Sequence, residues 1–187
     1  LAGVLSDHAG EVRVGAQPLG PASKAVTSFL PDVSFLPDRA DVAGCLRLYR
    51  DFFADFDAAR AAALVDSFRI DRRRKLKSLS RGQREKVQLA LAMSRRAEVY
   101  LLDEPISGID PAARDTILDT ILRSYSPDAL VIISTHLIAD IEPVADTAVF
   151  LSRGRVLMAG DADDLRTEHG MSLDHLFRTT YATPVRS

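Results

Sequence analysis

From residue 78 onward, apolar positions alternate between helical spacing and short continuous runs. Val87, Ala90, Leu91 and Ser94 share one face of a helix. Ser80 followed by Gln83 forms a capping box that opens it. The apolar run Val99–Leu102 then predicts a strand. Asp110 before Pro111 gives an N-cap with proline at the first helical position, opening a helix that carries Ile117, Leu118, Ile121 and Leu122. "ALVIIS", 129–134, is apolar throughout, as expected of a strand covered on both faces. "TAVFLSRGRVLMAG" predicts two strands about a turn at Ser152–Gly154. Short helices over 161–168 and 172–179 follow, with "TTYATPVRS" expected to be loose.

The first part of the chain reads differently. Leu1–Leu5 has the look of the end of an element begun earlier. "GEVRVG" alternates at Val12 and Val14, predicting a short edge or surface strand, and "TSFLP" predicts another. Pro31 and Pro37 bracket a loop. Residues 40–77 are rich in Ala, Leu, Arg and Asp, with no glycine after Gly44. The spacing of Leu46, Tyr49 and Phe53, and the run Ala61–Phe68, predict a small subdomain of two or three helices.

Strand, helix and strand between 99 and 134 imply a parallel βαβ unit with a right-handed crossover. Ligands of such sheets sit at the carboxyl ends of the strands. Asp103 and Glu104 lie at one such end and His136 lies after another, so these three polar groups are expected on one edge. A carboxylate there suits magnesium, a hard cation that prefers oxygen ligands and keeps several waters. A second carboxylate can orient or deprotonate a water. Each signal has a plainer reading. Asp103 and Glu104 could be two solvated acids where a strand ends, His136 a structural histidine and Asp110 only a cap. "LSRGQ", 79–83, could be a well-capped helix start, or a helix N-terminus that binds phosphate.

The 187 residues suffice for one domain, or a core with a small subdomain. The chain is 47% hydrophobic and 27% charged, with net charge −2, so no global field points to nucleic acid. The single Cys45 excludes an internal disulfide and a thiolate metal cluster. No apolar run approaches the roughly 20 residues that span a bilayer. The basic run Arg69–Lys77, "RIDRRRKLK", reads as a solvated face of the helical subdomain rather than a nucleic-acid patch; contact with an acidic or membrane-adjacent partner loop is a further reading.

Taken in order, "LSRGQ", "VYLLDEP", "SGID" and "STH" resemble the ATPase subunits of ATP-binding-cassette (ABC) transporters. They are similar to that family's signature, its Walker B strand with catalytic glutamate, its D-loop and its switch histidine. The resemblance implies an α/β, P-loop NTPase-like parallel sheet core with an inserted small helical subdomain. The corresponding boundaries are 1–32 for a remnant of the nucleotide-binding core, 33–78 for the helical subdomain, 79–160 for the second half of the core, and 161–187 for C-terminal helices and tail. It implies ATP and Mg2+ as cofactors. Asp103 would hold the ion through water, Glu104 would polarise the attacking water, and His136 would contact the γ-phosphate. Ser80, Gly82 and Gln83 would meet ATP held by a second ATPase subunit, and Asp110 would act across that dimer interface. A transmembrane transporter subunit would be the other partner, placing the chain peripherally on the cytoplasmic face of the membrane.

Departures from the family pattern are specific. Arg81 stands where the signature usually has glycine. Asp32 takes the place of the usual glutamine near magnesium. The phosphate-cradling G-x-x-x-x-G-K-[ST] does not occur; Gly15 to Gly20 has its glycine spacing, but Pro21 and Ala22 follow where Lys and Ser or Thr are needed. The chain begins with Leu1, and the simplest expectation is that the cradle precedes it, leaving this stretch alone a poor ATP binder. A non-catalytic cassette-like module is the alternative; intact Glu104 and His136 argue against it. A soluble DNA-repair relative would carry coiled-coil heptads that 40–77 lacks. The short stretch after His136 points to an exporter-like subunit.

Overall fold

Three apolar segments far apart in the chain build the central sheet of the computed structural model, which describes Ala2 and residues 10–182. They are β3 (Thr27–Leu30), β4 (Val99–Asp103) and β5 (Leu130–Ser134), all parallel in the order β3-β4-β5. The middle strand is the driest: Tyr100, Leu101 and Leu102 are buried. The Tyr100 hydroxyl donates to Arg95 O at 2.5 Å and accepts from Ala97 N at 3.4 Å, so its polar end is satisfied inside the core. Helix α5 (Pro111–Leu122) connects β4 to β5 and buries Ile117, Leu118 and Ile121. Asp110 Oδ1 caps it by accepting from Ala112 N at 2.9 Å. The parallel strand–helix–strand unit is therefore as the sequence predicts.

The covering of β5 is not. A continuous apolar run predicts burial on both faces, but β5 is an edge strand among the described residues, with Leu130 56% and Ile132 37% exposed. Alternate residues point to opposite faces, and one face carries little over it. The strand "TSFL" takes on more than its sequence shows, because as β3 it pairs along β4 from Thr27↔Val99 to Leu30↔Leu102.

Between β3 and β4 lie α2 (Val42–Phe52), α3 (Ala58–Ser67) and α4 (Arg81–Met93), with a 3-10 turn at Leu76–Ser78. Asp41 and Asp57 cap α2 and α3 through Gly44 N and Arg60 N. Cys45, Tyr49, Val65 and Leu91 meet in their shared core. Burial pushes the Cys45 thiol up to about 11, with the Asp41 carboxylate adding to the shift. Arg95, with a side chain only 4% exposed, joins this layer to the sheet. It pairs with Asp55 at 3.0 Å, donates to Thr27 O at 2.7 Å and lies 4.1 Å from the Phe53 ring centre. The basic run is stitched into the same layer: Arg72 pairs with Asp66 at 3.2 Å, and Arg74 donates to Ser78 O.

Ahead of β3, β1 (Arg13–Val14) and β2 (Gln17–Pro18) form a small hairpin turning at Gly15, and Gly20 precedes α1 (Pro21–Ala25). The two glycines thus sit in separate turns. The reading of Leu1–Leu5, apart from Ala2, lies outside the described residues.

The chain divides into two compact units, Leu1–Thr135 and His136–Ser187. The second holds α6 (Ile138–Ile141), the antiparallel pair β6 (Thr147–Ser152) and β7 (Arg155–Asp161), α7 (Ala162–His169) and α8 (Leu173–Ala182). Arg153 and Gly154 both have positive φ, 49° and 75°, the turn that suits a tight hairpin. Phe150, Leu165, Leu173 and Leu176 form this unit's core. The expected loose tail is shorter than predicted: α8 runs on to Ala182, with the Phe177 and Tyr181 rings 4.5 Å apart. The rest of that tail lies outside the described residues.

Candidate functional site

The parallel register brings Asp103 beside Ser134, so the carboxyl ends of β4 and β5 share one edge. Ser134 Oγ donates to Asp103 Oδ1 at 2.6 Å, a short charge-assisted hydrogen bond. Thr135 Oγ1 donates to Glu104 Oε2 at 3.1 Å. Each of the two adjacent acids is therefore aimed by its own hydroxyl, one from the last residue of β5 and the other from the residue directly after it.

Glu104 leaves the strand in the left-handed region, at φ 50°. Its N–H donates to Ser134 O at 2.8 Å and its carbonyl accepts from Ser107 N at 3.2 Å. Those bonds hold a backbone that a residue with a Cβ rarely adopts. The left-handed residue turns the chain, so that its side chain departs from the strand's alternation. Strain of this kind persists where the surroundings over-determine it, and it clusters at functional positions.

Asp103 and Glu104 line a small cavity together with Asp32, Glu85 and Gln88. Its free volume of about 10 Å3 is that of one water. Asp32 belongs to this edge because β3 ends beside β4 and passes through Pro31 into the loop. Gln88, 2% exposed, reaches that loop by accepting from Phe35 N at 3.3 Å.

Ser80, Gly82 and Gln83 stand at the start of α4 in a complete capping box. Ser80 Oγ accepts from Gln83 N at 3.2 Å, and Gln83 Oε1 accepts from Ser80 N at 3.1 Å. In that arrangement the Ser80 O–H and the Gln83 amide N–H groups remain donors to whatever lies ahead of the helix. Gly82 touches the "SGID" loop, since a Cβ there would come within 3.1 Å of Gly108 O. Asp110 closes that loop by capping α5. His136 follows Thr135 directly in the chain and is the first residue of the second unit.

Asp32, Asp103 and Glu104 are thus brought to one cavity, while Ser80, Gly82 and Gln83 share the start of α4, where Gly82 meets the loop that ends at Asp110. Ser134, Thr135, Glu85 and Gln88 belong to the edge as well, and the sequence reading did not single them out. For Ser134 and Thr135 a signal exists, a pair of hydroxyls directly after the β5 run. For Glu85 the available signal is its place one turn after Arg81.

Comparison with known proteins gives one consistent picture. A family model described as "AAA domain, putative AbiEii toxin, Type IV TA system" matches residues 47–139. The Bacillus subtilis ABC-type transporter ATP-binding protein EcsA is 32% identical over 123 residues, 63% of this chain and 50% of that protein. The "Putative ABC transporter ATP-binding protein VNG_2317G" of Halobacterium salinarum is 33% identical over 110 residues, 58% of this chain and 47% of that protein. The chain therefore spans about half the length of these curated relatives. A solved structure, "Structure of ATP binding subunit of ABC transporter", superposes with a TM-score of 0.76 at 27% identity, covering 86% of this chain and 70% of that one. This chain's mixed α/β layout around the parallel sheet β3-β4-β5 is consistent with a P-loop NTPase-like core. By its relatives and its fold, the chain is similar to the ATP-binding proteins of ABC transporters.

Proposed function

We propose that the chain provides the magnesium-holding and water-activating edge of an ATP-hydrolysing site in the nucleotide-binding subunit of a membrane transporter. The observation that carries this reading is the join of β4 and β5, where Ser134 and Thr135 each aim one of two adjacent carboxylates beside a water-sized cavity.

The residues fit magnesium. The donors at this edge are oxygens, from Asp103, Asp32 and Glu104. Among the described residues, no three His, Cys, Asp or Glu side chains gather closely enough to enclose a metal ion alone. That suits an ion which takes one or two carboxylates and completes its shell with water and phosphate oxygens. Asp103, held by the Ser134 hydroxyl, would grip it through water, with Asp32 as a second carboxylate. Bound Mg-ATP would supply a phosphorus atom already polarised by the cation. Phosphoryl transfer then asks chiefly for positioning and charge stabilisation. Glu104, oriented by Thr135, would accept a hydrogen bond from the attacking water and draw off its proton. His136 would contact the γ-phosphate and help seat that water.

Ser80, Gly82 and Gln83 would serve the nucleotide of a second ATPase subunit, offering the hydroxyl and amide donors that the capping box leaves pointing outward, together with the positive end of the helix dipole. The loop ending at Asp110 would lie at that dimer interface. Among the described residues no helix is long and apolar enough to cross a membrane. The proposed role as a transporter's ATPase subunit would put the chain peripherally on the cytoplasmic face, against a transmembrane subunit, with export as the direction to test first.

The test is Glu104→Gln in the assembled transporter. The amide keeps the shape and can still accept the Thr135 hydrogen bond, but it cannot take a proton. ATP turnover is expected to disappear while ATP binding is retained. Unchanged turnover would overturn the role given to Glu104.

A further inference from the structure

Gly82 and Gly108 belong to two separate segments, the start of α4 and the "SGID" loop, yet they pack against each other. The space beside Gly108 is filled by a side chain. A Cβ added there would overlap the carboxylate of Glu85, from the first turns of α4. Glu85 Oε1 accepts from Arg81 Nε at 2.8 Å, one helical turn back. Glu85 Oε2 is buried and has no hydrogen-bond partner among the described residues.

This placement is costly by itself. A buried carboxylate oxygen without a partner loses its hydration for no return. Glu85 has a low-cost escape, since an unrestrained glutamate could turn its head into solvent. Its side chain instead stays 18% exposed, while Arg81, the partner that holds it, is 74% exposed. The Glu85 hydrogen bond and charge are the main reasons that the Arg81 pKa is raised, with Asp32 adding to it. Arg81 is also the residue at which this chain departs from the glycine usual in the signature.

We infer that Glu85 is a positioning residue that clamps the "SGID" loop to the start of the signature helix, lying on Gly108 and held there by Arg81. The loop it grips is the direct continuation of the proposed catalytic edge: Ser107 N donates to Glu104 O at 3.2 Å, and Glu85 itself lines the cavity beside Asp103 and Glu104. The clamp thus joins the residues that would meet a partner's nucleotide, Ser80 and Gln83, to the residue that would activate water in the chain's own site. A displacement at the helix start is carried to Glu104 through Arg81, Glu85, Gly108 and Ser107. The inference rests on the function proposed above for those two ends.

A double-mutant cycle in the assembled transporter tests it, using Glu85→Ala, Gly108→Ala and the pair, with kcat, the KM for ATP and the melting temperature measured for each. Gly108→Ala must expel the Glu85 carboxylate. It is expected to lower kcat by about 10- to 100-fold, the range in which displacements of up to an ångström act, with KM changed less than about 2-fold. Adding Glu85→Ala to Gly108→Ala should cause no further loss, because the two changes break one contact. Glu85→Gln, which keeps the bulk but loses the charge that holds Arg81, should fall between wild type and Glu85→Ala. Effects that multiply, a kcat untouched by Gly108→Ala, or a change confined to KM would each overturn the clamp. If wild type itself hydrolyses no ATP, the functional reading fails. The clamp is then judged from the melting temperatures alone, where additive shifts refute it.

Discussion

Arg95→Leu isolates the joint between the helical layer and the sheet. The substitution removes the ion pair with Asp55, the hydrogen bond to Thr27 O and the contact with the Phe53 ring. Breaking a buried pair by deleting one partner costs about 3–5 kcal/mol, because the other charge stays behind unpaired. The Asp55 side chain is 27% exposed, so water relieves part of that penalty and the low end, about 3 kcal/mol, applies to the pair. Loss of the ring contact adds about 0.5–1 kcal/mol. The orphaned carbonyl of Thr27 adds about 1 kcal/mol. The sum, about 4–5 kcal/mol, is a large share of the 5–15 kcal/mol that stabilises an ordinary domain. At about 2–4 °C per kcal/mol for a chain of this size, the melting temperature should fall by roughly 8–20 °C. Urea titration followed by circular dichroism measures the change, and the slope must stay constant for the two values to be comparable. Arg95→Lys should retain part of the stability, since an ammonium keeps the charge without the planar fork. Adding Asp55→Leu to Arg95→Leu should recover more than about 1 kcal/mol by removing the stranded carboxylate. A loss below about 1 kcal/mol in Arg95→Leu would refute the argument, for that is the scale of an exposed surface pair.

Two further outcomes follow from ionisation. The Asp57 carboxyl is held below its ordinary value of 3.8, chiefly by the backbone hydrogen bond from Arg60 that caps α3. Its contribution is complete above the unfolded pKa and fades as pH falls below about 4, so Asp57→Asn should flatten the acid limb of a stability–pH curve; an unchanged limb contradicts the assignment. The Cys45 thiol, raised to about 11 by burial, is almost wholly protonated at pH 8, so alkylation by iodoacetamide should be slow in the native protein and fast in urea. Equal rates in both conditions would contradict its burial.

What could be read from residues alone was local. The alternation of apolar runs around the Asp110–Pro111 cap is enough to place β4, α5 and β5, because each step depends on neighbours within a few positions. The Ser80–Gln83 capping box is legible for the same reason and forms as expected. The pairing of β3 with β4 is not, since those strands meet across the whole helical layer and no short-range pattern records it. Nor is the exposure of Leu130 and Ile132: an apolar run reads the same whether or not something covers it. At the candidate site, Asp103 and Glu104 announce themselves as paired acids at a strand end. The hydroxyls that aim them depend on the β4–β5 register, and the contact of Glu85 with Gly108 depends on how a helix meets a distant loop.

The left-handed backbone at Glu104 sets stability against chemistry at a single position. A residue with a Cβ held in that region costs about 1–2 kcal/mol. Glycine would relieve that strain while adding about 0.5–1 kcal/mol of unfolded-chain entropy. On these two terms Glu104→Gly should range from neutral to about 1.5 kcal/mol stabilising. A laboratory selection that rewards only heat resistance would tolerate or enrich that change and discard the carboxylate in one step, whereas a selection for turnover would keep the strained glutamate. Libraries of this protein should accordingly be screened for both properties together, with position 104 sequenced as the marker of which pressure prevailed.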